Sequence, residues 1–281
     1  MKNISILTPA KINLTLQVLK RRPDNYHEIY TIFQKITLFD EIEITKGSPS
    51  FHLKFISSEN ISENIPLEKN LVFKAYQLFK NTFEIKDEVS IKVKKNIPIG
   101  AGLGGGSSNA SGTLKGLAEL FEINPKSLFN LARNLGADVP FFLSPYSSAI
   151  GEGIGDILTP YPSFPAWYVL IYPGFKVETK WAYESLNLKK PKKPLYYSQN
   201  IPPWYQPQGL INDFKNLIFE RFPKLKKYEN FLKDLGAIAI GLSGTGSTIF
   251  GVFENKPDFF KLNRVKILEK DGKIFIVKNL S

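Results

Sequence analysis

Glycine constrains this chain more than any other residue: Gly100, Gly102, Gly104, Gly105 and Gly106 fill five of seven consecutive positions. Residues 89–95 before them alternate as a strand and end at Asn96-Ile97-Pro98. After them, Ser107-Ser108-Asn109 leads into Leu114, Leu117, Ala118 and Phe121 at helical spacing. Glycine leaves backbone N–H groups uncovered, and the helix adds its positive end, so the segment predicts a phosphate cradle. The two serines predict a helix cap whose hydroxyls reach phosphate or a phosphate-bound metal. The alternative is a tight turn or flexible linker.

Known cradles narrow the choice. Gly100, Gly102 and Gly105 satisfy G-x-G-x-x-G, but the region ~20 residues on reads as helix rather than as a strand ending in an acidic residue. No lysine follows the glycines, which excludes a Walker loop, and the His-Arg-Asp and Asp-Phe-Gly signatures of protein kinases are absent. The net charge of +11 (37 Lys+Arg against 26 Asp+Glu) independently points to an anionic partner, whether nucleotide, phosphorylated metabolite, nucleic acid or lipid surface. With no cysteine and two histidines, disulfides, thiol catalysis and Cys-ligated zinc are excluded. The apolar run at residues 166–172 is far short of the ~20 residues of a membrane span, and no signal core opens the chain, so a cytoplasmic protein is expected.

Strands are predicted at residues 4–7, 12–18, 29–36, 41–45, 51–56, 89–95, 166–172, 237–240, 248–253 and 274–277. The strand at 12–18 should be half-buried, with Ile12, Leu14, Leu16 and Val18 inward. Helices are predicted after Asn70, after Asn124-Pro125, and over 211–222 and 224–235, with Pro223 breaking the last two. Residues 189–209 read as a surface loop. Two α+β halves result, with a seam near residues 153–165.

Three more segments carry chemistry. Lys11 and Asn13 in Pro9-Ala10-Lys11-Ile12-Asn13-Leu14 share a strand face, where they either serve a cleft or are merely solvated. Asp138, in Gly136-Ala137-Asp138-Val139-Pro140-Phe141-Phe142, is either a helix cap or a catalytic base. Gly241, Ser243, Gly244, Thr245 and Gly246 form a second glycine loop, either a hairpin turn or a second set of amides closing on phosphate.

Taken together and in chain order, these segments resemble the GHMP kinase superfamily. They most resemble its members that act on a cytidine-diphosphate-linked methylerythritol in the non-mevalonate isoprenoid route. Further matches are Asp24-Asn25-Tyr26-His27-Glu28, Asn70-Leu71, residues 151–156 and Tyr172-Pro173-Gly174. Asn25 stands where that pattern often has glycine, a place where asparagine tolerates positive φ.

The resemblance implies an N-terminal half like ribosomal protein S5 domain 2, here 1–157, and a ferredoxin-like C-terminal half, here 158–281. It implies ATP and Mg2+, with metal ligands unidentified, a small-molecule alcohol acceptor, no nucleic-acid or membrane partner, and a monomer or homodimer. By matching position, Lys11 and Asp138 are the catalytic pair, with Asn13 beside them. Tyr26, His27 and Tyr183 recognise the cytidine. Asn70, Leu71, Lys95, Pro98, Gly100, Gly102, Leu103, Gly104, Gly105, Gly106, Ser107 and Ser108 bind ATP. Rival readings are a homoserine- or mevalonate-type kinase and an S5-like RNA-binding protein.

Overall fold

Long alternating segments build the first two strands. β1 runs Asn3–Arg21 and β2 runs His27–Ser48, so the four separate strands expected before residue 46 are two continuous ones. The computed structural model describes residues 2–57, 66–186, 188, 190–258 and 272–281. Contacts group the chain into two compact units: Met1–Ala10, Leu38–Pro98 and Gly104–Pro145 in the first, and Lys11–Thr37, Ile99–Leu103 and Tyr146–Ser281 in the second. This differs from a single cut after residue 157, because β1 and β2 each contribute to both units.

In the first unit, the C-terminal part of β2 pairs antiparallel with β4 (Glu88–Lys94), and β3 (His52–Ile56) runs parallel to β4. The α-helices among its described residues are α1 (Leu71–Thr82), α2 (Gly105–Leu120), α3 (Leu128–Leu135) and α4 (Val139–Leu143). Ile42, Ile44, Ile91 and Val93 from the strands close on Val72, Phe79, Leu114 and Leu117 from the helices, all buried. Asn70 caps α1 as expected, its Oδ1 accepting from the Val72 N–H at 2.9 Å. Helix α2 lies close to the strands because Gly112 has no side chain; a Cβ there would come within 2.3 Å of Thr8 Cγ2.

In the second unit, β2 pairs with β5 (Ser148–Glu152), and β5 with β6 (Ile157–Pro160). β6 occupies part of the expected seam. A second antiparallel sheet has the order β10 (Lys273–Lys278), β7 (Trp167–Tyr172), β9 (Ile249–Phe253), β8 (Ala239–Leu242). Helices α5 (Thr179–Ser185), α6 (Lys215–Arg221) and α7 (Leu225–Asp234) bury Ala182, Ile218, Leu225 and Leu232 with Val169 and Ile171 of β7.

Two expectations change here. Helix α6 starts later than residue 211 because Ile211 O accepts from Leu16 N at 2.8 Å and Asp213 N donates to Leu16 O at 2.9 Å, which pairs the segment with β1. Over residues 190–209 the chain lacks long regular structure but is packed: Tyr197, Trp204 and Gln206 are buried. Gln17 of β1 exchanges two 2.9 Å hydrogen bonds with the backbone of Leu195.

Candidate active site

The glycine loop begins helix α2 without a side-chain cap. Gly104, at φ +70°, is the residue before the helix, and no side chain accepts from the first-turn amides. The expected serine cap is therefore corrected: Ser107 and Ser108 lie inside the helix, because glycine alone takes the left-handed turn that starts it. Ser108 is buried and donates to the Pro9 carbonyl at 2.6 Å, whereas Ser107 is half-buried. Uncapped N–H groups at the positive end of a sixteen-residue helix suit phosphate oxygens. Leu71 borders the same place, since a Cβ on exposed Gly106 would meet Leu71 Cδ1 at 3.5 Å. The structure thus brings together the Asn70-Leu71 corner and the loop. Lys95 is different: its ammonium is buried in an ion pair with Asp40 and donates to Asn109 Oδ1 at 3.0 Å. Burial pulls the Lys95 pKa down, and the Asp40 carboxylate pushes it back up.

Lys11 and Asn13 share a strand face as their spacing predicts, but the face is not solvated. Each is only 4 % exposed, and Thr15 and Gln17 beyond them are equally enclosed. A chain of hydrogen bonds lines this face. Lys11 Nζ donates to Asn13 Oδ1 at 2.7 Å, Asn13 Nδ2 donates to Thr31 Oγ1 at 2.8 Å, and the Thr31 hydroxyl donates to Thr15 O at 2.6 Å. Lys11 also ties to the loop directly, its backbone N–H donating to Leu103 O at 3.0 Å.

The second glycine loop meets this place in the same unit. Ser243 Oγ donates to Gly102 O at 2.9 Å, and Thr248 N donates to Ala101 O at 3.3 Å. A Cβ on Gly102, at φ +79°, would lie 2.2 Å from Ser243 O, and one on Gly244 would lie 3.7 Å from Asn13 Oδ1. Asn212 holds the loop from behind: its amide donates to Leu242 O at 2.8 Å and to Gly244 O at 2.9 Å. Sequence reasoning missed Asn212 because it sits in an apparent helix. Lys176, whose stem would be 2.7 Å from a Cβ on Gly100, was missed because it follows a motif rather than forming one.

Asp138 is the residue immediately before α4, half-buried, and its carboxylate makes no cap hydrogen bond. The cap role is therefore not realised.

At the β1–β2 turn, Asn25 takes φ +67°, the positive value expected of it, and Asp24 Oδ1 accepts from Tyr26 N at 3.1 Å. This turn presents Tyr26 at 59 % exposure and sets His27 against Tyr183, ring centroids 5.0 Å apart. Tyr183 also packs edge-on against Phe214 at 4.8 Å, at the edge of the core. Burial first, and the Arg21 charge second, lower the His27 pKa, which keeps the ring neutral near pH 7. A neutral imidazole both donates and accepts hydrogen bonds.

Among the described residues no group of three or more His, Cys, Asp or Glu could hold a metal ion. No described helix is long and apolar enough to cross a membrane.

Comparison with known proteins agrees with this geometry. The model of the GHMP kinases N terminal domain matches residues 70–145, and that of the GHMP kinases C terminal matches residues 198–262. The 4-diphosphocytidyl-2-C-methyl-D-erythritol kinase of Syntrophus aciditrophicus is 41% identical over 90% of this chain and 91% of its own. A crystal structure of 4-(cytidine 5'-diphospho)-2C-methyl-D-erythritol kinase superposes with a TM-score of 0.79 at 31% identity, covering 99% of this chain and 100% of that one. A homoserine kinase from Cytophaga hutchinsonii shares the fold alone, with a TM-score of 0.64 at 16% identity over 98% of this chain and 94% of that one. The chain therefore belongs to the GHMP kinases, and within them to the 4-diphosphocytidyl-2-C-methyl-D-erythritol kinase family.

Proposed function

We propose that this protein transfers the γ-phosphoryl group of ATP to the 2-hydroxyl of 4-diphosphocytidyl-2-C-methyl-D-erythritol, a step toward isoprenoid precursors by the non-mevalonate route. The observation that carries the reading is the docking of Lys11 on the glycine loop through Leu103 O, with Asn13 held on its ammonium. A lysine fixed beside a phosphate cradle is placed to neutralise charge in phosphoryl transfer, where catalysis is mostly positioning and electrostatics.

The remaining residues take roles by chemistry. Amides at Gly100, Gly102 and Gly104–Ser107 hold phosphates, and Asn70, Leu71 and Pro98 border the nucleoside. Asp138, whose side chain makes no cap hydrogen bond at the start of α4, accepts the hydroxyl proton. Asn13 orients Lys11 and the acceptor. Tyr26 and Tyr183 offer faces to the cytosine, and His27 offers a neutral ring edge. Magnesium, carried on ATP, would supply charge neutralisation at the phosphates.

A coupled ADP-release assay tests this across acceptors. Turnover is expected with the cytidine-diphosphate-linked alcohol and nearly none with free methylerythritol, homoserine or mevalonate, because binding energy from the remote cytidine is spent on positioning. Equal kcat/KM on free methylerythritol would overturn the acceptor assignment.

A further inference from the structure

We propose that Asp40, on β2, is a positioning residue that holds both ends of the phosphate loop with one buried carboxylate. The proposal rests on the nucleotide reading above and adds a residue to it. Asp40 is fully buried. Its Oδ1 accepts from Asn96 N at 2.7 Å and from Ile97 N at 2.9 Å, the residues by which the chain enters the loop. Its Oδ2 accepts from Asn109 Nδ2 at 2.9 Å, in the helix by which the chain leaves. The same oxygen pairs with Lys95, whose ammonium also donates to Asn109 Oδ1 at 3.0 Å. Asn109 Nδ2 donates further to Thr8 Oγ1 at 2.9 Å.

A carboxylate has about four acceptor sites, and four donors converge on this one. A buried ion pair is poor value as stabiliser, since well-packed apolar residues would do as well. What it does supply here is geometry, because strand end and helix start are referred to a single atom group. The loop also sits on the network: a Cβ at Gly105 would lie 3.2 Å from Lys95 Nζ and 2.9 Å from Ile97 Cγ2. Lys95 thus serves the nucleotide through Asp40 and Asn109.

The substitution Asp40→Asn separates the two ends. The amide oxygen still accepts from Asn96 and Ile97, but the amide nitrogen now faces the Lys95 and Asn109 donors. ATP affinity, measured by calorimetry and as KM, is expected to fall about tenfold, the loss of a charged hydrogen bond. KM for the cytidine-linked acceptor should stay within about twofold, a level that separates loop placement from general loosening. Adding Asn109→Asp returns a carboxylate to the cluster and should recover most of the ATP affinity.

Should Asp40→Asn fail to fold, Asn109→Ala keeps the Asp40–Lys95 pair and cuts only the helix tie. It is expected to weaken ATP several-fold with the acceptor unchanged. Unchanged ATP affinity in a folded variant, or equal losses for both substrates, would overturn the proposal. Absence of ATP binding by the wild-type protein would instead overturn the kinase reading, and the anchor with it.

Discussion

The two glycine-rich loops look alike in composition and differ in how their backbones are used. The first, Gly100–Gly106, opens helix α2 with no side-chain cap on its first-turn amides. The second, Gly241–Gly246, turns back on itself: Ser243 N donates to Thr248 O and Gly246 N to Ser243 O, both at 2.9 Å. Asn212 then takes up the Leu242 and Gly244 carbonyls, and Ser247 Oγ donates to Phe175 O. One loop starts a helix without a side-chain cap, and the other closes into a brace that grips Gly102. Glycine density alone does not mark an anion site; what marks it is where the backbone hydrogen bonds go.

Substitutions can break this contrast, beginning with the largest effect. Gly102→Ala drives a Cβ into the Ser243 carbonyl at a positive φ, a clash of backbone with backbone that no rotamer relieves. It should cost about 3 kcal/mol and lower Tm by roughly 10 °C, along with ATP affinity. A stable Gly102→Ala variant would show that the loops do not interlock.

Gly104→Val places a β-branched residue at φ +70° and should cost about 2 kcal/mol. Its signature is ATP affinity falling much further than stability, because the side chain obstructs the amides. Normal ATP binding in this variant would move the phosphate site to the second loop and reverse the comparison.

Asn212→Ala removes the support behind the brace and leaves two carbonyls with fewer donors, a loss of about 1–2 kcal/mol in chemical denaturation. Ser243→Ala is smaller still, about 1 kcal/mol, with a rise of a few-fold in KM for ATP and none for the acceptor. An acceptor effect equal to the ATP effect would sink the bracing role of Ser243.

Much of this was legible beforehand, and the gaps have physical causes. The Asn70 cap, the strand–glycine–helix unit and the positive φ of Asn25 follow from local chemistry, which a single sequence displays. The joined strands β1 and β2 were less visible, because polar residues inside them look like breaks. Asn13 and Gln17 are accommodated in a buried strand by partners distant in sequence, Thr31 and Leu195. Asp40 left no local signal for the same reason: its four donors come from residues 95–109.

The proposed general base is Asp138, whose side chain makes no cap hydrogen bond at the start of α4. The decisive measurement is the steady-state kinetics of Asp138→Asn with ATP and the cytidine-linked acceptor. A loss of about 10²–10⁴ in kcat is expected, with little change in either KM, and Lys11→Ala on top should add far less than its own single loss. A folded Asp138→Asn enzyme with wild-type kcat would contradict the account.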